Sequence, residues 1–164
     1  MYYPFLLYSK KFKHRPVFPG LKGDPFIADL STNSPLLQGM DVRDQEKLQR
    51  ILDEKMGSKY CWGVSPYLEQ RDTLLGDCPQ MVAEKRFIHL GLDVIVELGT
   101  SLHAPLDATV AESGYESGEG NYGGYVLLKH ESPSYEIFYS FYGHLCKDRL
   151  PATGKTLTAG AAFA

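Results

Sequence analysis

A chain of 164 residues is long enough to bury a hydrophobic core as one domain with a modest extension. Its formal net charge of -3 and pI near 5.9, with no basic stripe, argue against a nucleic-acid partner. Cys61, Cys78 and Cys146 form no Cys-x-x-Cys pair. Free thiols in a reducing compartment are expected, and neither a disulfide framework nor a zinc knuckle is indicated.

The N-terminus, Met1-Tyr-Tyr-Pro-Phe-Leu-Leu-Tyr8, is apolar but broken by Pro4, and its positive charges follow the apolar run where a secretory signal has them first. No apolar stretch reaches the length of a membrane span. A cytoplasmic chain without a membrane partner is therefore expected. The cluster Lys10-Lys11-Phe12-Lys13-His14-Arg15 is short and reads as solvated surface. Pro4, Pro16, Pro19, Pro25 and Pro35 leave no room for a long helix before Gly39, so irregular structure is predicted there, with a short strand near Pro25–Leu30. One helix is predicted over about 41–56. Asp41 caps it, Leu48, Ile51, Leu52 and Met56 share a face, and Gly57 stops it. The aromatic stretch that follows places Tyr60, Trp62, Tyr67 and Arg71 either in a plug over a sheet edge or in the wall of a cleft.

From Arg86 onward the texture is that of short strands punctuated by glycine. Ile88, Leu90, Leu92, Val94 and Val96 alternate, which predicts a strand with one apolar face and His89, Gly91 and Asp93 on the other. A histidine and a carboxylate so placed suggest two metal ligands on a rigid support. A straight strand would separate them by roughly 13 Å, too far for one ion, so the segment has to bend, and Gly91 is the residue that permits it. Further strands are predicted at 100–104, 108–112, 124–130 and 135–142. The expectation is a mainly β fold, an antiparallel sandwich or rolled sheet over 86–164, preceded by an irregular extension over 1–85 containing the one helix. Ser113–Gly124, rich in glycine, reads as a mobile connection or a flap over a cleft. Gly154-Lys-Thr156 imitates the end of a phosphate-binding loop, but Arg149 stands where that loop needs glycine, and nucleotide binding is not expected.

Several motifs then fall in a fixed order: His89-Leu-Gly-Leu-Asp93, Gly99-Thr100, Ala104-Pro-Leu-Asp107, Tyr122-Gly123 and Phe141-Tyr-Gly-His-Leu145. In order and spacing they resemble the lysostaphin-type zinc endopeptidases, β-sheet enzymes that cut peptide cross-links in bacterial cell walls. Ala28-Asp-Leu-Ser31, Tyr67-Leu-Glu-Gln-Arg71 and the wording of the His89 motif look like the subgroup joined to a class III aminotransferase and a kinase-like phosphotransferase domain. The resemblance implies that His89 and Asp93 are zinc ligands, that His144 acts beside the metal-bound water, and that the substrate is a peptide of the peptidoglycan kind. It also implies a third ligand and a general base from a downstream His-x-His pair. The sequence reaches Ala164 before such a strand, and His14, His103 and His130 do not form the pair. His103 reads as structural and His130 as surface, while Cys146, two residues after His144, is a weaker substitute ligand. The expectation is an incomplete zinc site and a domain inactive as written. The alternative is a non-catalytic binding or scaffolding β domain of a larger enzyme, with other domains as partners or self-association through an unpaired sheet edge.

Overall fold

Strand outweighs helix in the computed structural model, which holds two sheets, one of them a strongly curled antiparallel half-barrel. Residues 13–41, 44–118 and 120–164 are described. The apolar N-terminus and the Lys10-Lys11-Phe12 part of the basic cluster lie outside them. Contacts divide the described residues into a unit within 21–98 and a unit of 13–20 with 99–164. The segment 86–98 thus belongs with the residues before it, whereas the sequence reading grouped it with the later strands.

In the first unit, β1 (Phe26–Ile27) runs parallel to β2 (Gly63–Ser65), and β2 is antiparallel to β3 (Asp93–Ile95). Between β1 and β2 lies helix α1 (Gln45–Met56). Its cap is Asp44, whose carboxylate accepts the Lys47 N–H at 2.8 Å, and not Asp41. Asp41 stands one turn earlier, where its carbonyl accepts the Asp44 N–H at 3.0 Å and so sets the approach to the helix. Leu52 is buried and Gly57, at φ 49°, ends the helix by donating to the Asp53 carbonyl. Two short helices, α2 (Asp72–Leu75) and α3 (Pro79–Glu84), fill the connection to β3, where the sequence predicts irregular structure. Trp62 and Tyr60 are half-buried, the indole N–H of Trp62 donating to the Gly23 carbonyl, but Tyr67 is 57% exposed and plugs nothing.

The predicted apolar row is not an inward face. Ile88, Leu90 and Leu92 are 48%, 70% and 60% exposed, and regular pairing is confined to Asp93–Ile95 and one bridge between Gln70 and Ile88. Alternation keeps side chains on one face only while the backbone stays pleated. Here it does not, because the segment bends at Gly91.

The second unit carries β4 (Ala108–Glu116), β5 (Gly123–Ser132), β6 (Tyr135–Leu145) and β7 (Thr156–Leu157), in the sheet order β6-β5-β4-β7. Val126, Leu128 and His130 occupy alternate positions of β5 and are completely buried, so strand periodicity holds here. Val126 and Leu128 join a core of Ala104, Ala108, Val110, Leu157 and Phe163, with Tyr142 and Leu145 partly buried against it. His130, expected at the surface, is instead an inward-facing residue. Its Nδ1 lies 3.1 Å from the Asp107 carbonyl and its Nε2 2.7 Å from Ser140 Oγ, so both ring nitrogens are satisfied without water. His103 is structural, its Nδ1 lying 2.8 Å from the Gly160 carbonyl. The glycine-rich stretch is not a long loop: β4 and β5 stay paired out to Glu116 and Gly123.

Candidate metal centre

The site is built on a two-stranded ribbon that kinks in both of its chains. Beyond β2, residues 68–71 run antiparallel to 87–89, with Leu68 N–H donating to the His89 carbonyl, His89 N–H to the Glu69 carbonyl and Arg71 N–H to the Phe87 carbonyl, all within 2.7–2.9 Å. Leu68 takes a left-handed φ of 67°, and opposite it the other chain bends at Gly91. The double kink brings side chains from both chains onto one spot.

His89 folds back over Gly91, and its Nε2 stands 3.4 Å from Asp93 Oδ1. That is longer than a good N–H···O hydrogen bond, which lies at roughly 2.7–3.2 Å. It matches the edge of a tetrahedron around zinc with bonds of roughly 2.0–2.1 Å, for which the ligand-to-ligand distance is about 3.3 Å. Arg71, 6% exposed, holds the other oxygen of Asp93: Nη2 donates to Oδ2 at 2.6 Å. The same guanidinium donates from Nε and Nη2 to Glu69 Oε2, at 3.1 and 2.7 Å, and Ser65 Oγ lies 2.9 Å from Nη2, whose two N–H groups the two carboxylates and this hydroxyl share. The Ser65 hydroxyl donates in turn to Glu69 Oε2, and Glu69 Oε1 accepts the Leu30 N–H at 3.1 Å.

Burial is the main reason the His89 imidazole is held below its ordinary pKa of 6.5, with the Arg71 charge adding to the effect; the carboxylates of Asp93 and Glu69 and the Pro66 carbonyl oppose it. The ring is therefore biased towards the neutral form that can ligate a metal. Its Nδ1 is buried without a hydrogen-bond partner. Two carboxylates, Glu69 and Asp93, face one guanidinium, Arg71, and Oδ1 of Asp93 is the oxygen turned to His89.

The two donors fit zinc as one edge of its shell. Among the described residues no group of three or more His, Cys, Asp or Glu side chains is placed to hold a metal ion. Two protein donors bind zinc weakly.

His144 belongs to the other unit and is shaped by a bulge in β6. Val126 pairs with Tyr142 and Gly124 with Leu145, so Gly143 and His144 together stand opposite Tyr125. His144 is exposed, has φ 59°, and donates its N–H to the Tyr122 carbonyl at 2.7 Å. A left-handed histidine within a strand is a strained arrangement that re-aims its side chain, and such features gather at functional sites. Cys146 is exposed and reduced, like Cys61, while Cys78 is half-buried and also free.

No site role is expected from the sequence for Ser65 or Glu69, and Arg71, quoted with Glu69 in the Tyr67–Arg71 motif, is expected in a plug or a cleft wall. The missed signal was Glu69-Gln-Arg71, a carboxylate and a guanidinium two positions apart, which a strand places on one face. In comparisons with family models, curated proteins and solved structures, nothing matches this chain. Among the described residues no helix is long and apolar enough to cross a membrane.

Proposed function

We propose that the chain carries part of a zinc metallopeptidase domain of the lysostaphin type, with His89 and Asp93 as two of the metal ligands; to His144 the motif resemblance alone gives a role, that of steadying developing charge or moving a proton. The observation that carries the reading is the convergence of Nε2 and Oδ1 at 3.4 Å across the Gly91 bend. The curled antiparallel sheet supports it. When bound, zinc polarises a carbonyl and lowers the pKa of its water to about 7. The chain's own residues bind through His89 Nε2 and Asp93 Oδ1 and hold Asp93 through Arg71. The substrate class is a peptide, of the peptidoglycan kind by the motif resemblance.

Cobalt(II) titration of metal-free protein, followed by loss of the His89 ring signals in NMR spectra, tests the half-site. Saturable broadening that disappears in Asp93→Asn is expected. Broadening that is absent, or identical in Asp93→Asn, overturns the reading. The described residues alone are expected to cleave no cross-link peptide. One tightly held zinc with turnover would reveal a third ligand beyond them.

A second reading, a non-catalytic β domain that associates with a partner or another copy of itself, is favoured by β6. Among the described residues this strand forms the edge of its sheet, and Ile137, Tyr139 and Phe141 are 51%, 55% and 46% exposed along one face. An edge so apolar and so poor in charge invites strand pairing. Light scattering against concentration, with Tyr139→Lys as the comparison, should show association in the parent chain alone; a parent chain that stays monomeric removes this reading.

A further inference from the structure

The geometry points to Arg71 as the positioning residue of Asp93: it takes one carboxylate oxygen and leaves the other as the sole oxygen offered to a cation beside His89. This inference rests on the metal half-site proposed above. Asp93 is only partly buried, its side chain 29% exposed, and by itself could swing towards water. Arg71 cannot follow it. The guanidinium is fixed from three sides, by Glu69 Oε2, Ser65 Oγ and Asp93 Oδ2, at 2.6–3.1 Å. Glu69 is in turn anchored to backbone through the Leu30 N–H. A rigid, planar fork of this kind confers orientation that a lysine ammonium, a point charge on a flexible stem, cannot reproduce.

The consequence is a preference in metal chemistry. With Oδ2 accepting from Nη2, Oδ1 is the oxygen of Asp93 turned to the imidazole nitrogen, at the tetrahedral edge distance. Calcium, which seeks many oxygens and often both of one carboxylate, is poorly served by one oxygen and one nitrogen. Zinc and cobalt accept that pair. Arg71 therefore acts on selectivity as well as on affinity, by withholding an oxygen.

The test uses the full chain with Arg71→Lys, and with Glu69→Gln as a second variant should the first fail to fold. In metal-free protein, the Asp93 χ1 couplings measured by NMR should report one rotamer in the parent and averaged rotamers in the variants. Cobalt broadening at His89 should require about tenfold more metal in the variants, in line with the loss on removing groups that orient a ligand. Calcium should shift neither the His89 nor the Asp93 signals of the parent. Averaged Asp93 couplings in the parent, or couplings and cobalt response unchanged in both variants, overturn the positioning role. A parent chain with a single Asp93 rotamer but no cobalt response at His89 overturns the metal reading alone and leaves Arg71 as the group that orients Asp93.

Discussion

The His89 imidazole lies directly over Gly91: a Cβ built on that glycine would stand 2.9 Å from Nε2. Gly91 is thus needed for what covers it as well as for the bend it makes. Its φ is not left-handed, so alanine would carry little backbone strain, and the atoms it would meet belong to a ring that can rotate away. Gly91→Ala is expected to cost about 1 kcal/mol or less of stability while displacing Nε2 from Asp93. Cobalt titration should show the His89 response weakened about tenfold in a protein whose melting temperature has barely moved. An unchanged response would mean that the ring position is not set by this contact.

The bend at Gly91 was readable from the sequence because two would-be ligands four residues apart cannot meet on a straight strand. What the residue pattern could not show was which apolar side chains lie inside. Leu90 and Leu92 keep the alternation of a buried strand and yet face solvent, because the kink that serves His89 and Asp93 breaks the pleat between them. Where no kink intervenes, as in β5, the period of two placed Val126 and Leu128 in the core. The same period marked His130 as inward, and the residue type overrode it in the reading: a histidine at a strand end is easily taken for surface until Ser140 and the Asp107 carbonyl are seen to satisfy both its nitrogens. Arg71 was hidden for a different reason. Its partner Asp93 lies 22 residues away, and no local pattern reports such a pairing.

Burial of His130 sets the sign of a pH dependence. Desolvation, only partly offset by the Asp107 carbonyl, lowers its pKa below 6.5, so in the folded chain the ring stays neutral where the unfolded chain has taken up a proton. This contribution to stability is fully present above about pH 6.5 and is lost as the pH falls below it towards the folded-state value, with a slope of at most about 1.4 kcal/mol per pH unit. His89, lowered mainly by burial as well, adds to the slope in the same direction. Urea unfolding at several pH values between 5 and 7.5 should show stability declining as acid is added. His130→Gln should have a shallower decline and a lower plateau. A variant whose profile runs parallel to that of the parent would place the titration elsewhere.

His144 offers a test that separates strain from fold. At φ 59° a histidine bears a backbone cost of about 1–2 kcal/mol that glycine avoids, partly offset by the greater freedom of glycine in the unfolded chain. His144→Gly is therefore expected to unfold at the same or a higher temperature, by up to about 1 kcal/mol in free energy, while removing the imidazole from the bulge. Scanning calorimetry measures this directly. A clear loss of stability would mean that the side chain supports the sheet and that the bulge has a structural origin.

Two adjacent glycines at the other side of that bulge should respond differently to the same substitution. A Cβ on Gly124 would collide with the backbone carbonyl of Leu145, its partner across the β5–β6 ladder, and a backbone atom held in a sheet has little room to retreat. Gly123 has open space around its Cβ position but a φ of 62°, so alanine there meets only the left-handed penalty. Gly124→Ala is expected to cost about 1–3 kcal/mol or more, in the manner of overpacking, and to loosen the pairing that shapes Gly143–His144. Gly123→Ala should cost about 1 kcal/mol and leave the ladder intact. Urea unfolding ranks the two, and amide exchange at Leu145 and Val126 locates the damage: faster exchange there in the Gly124 variant alone is expected, and equal effects in both variants would remove the Leu145 carbonyl as the cause.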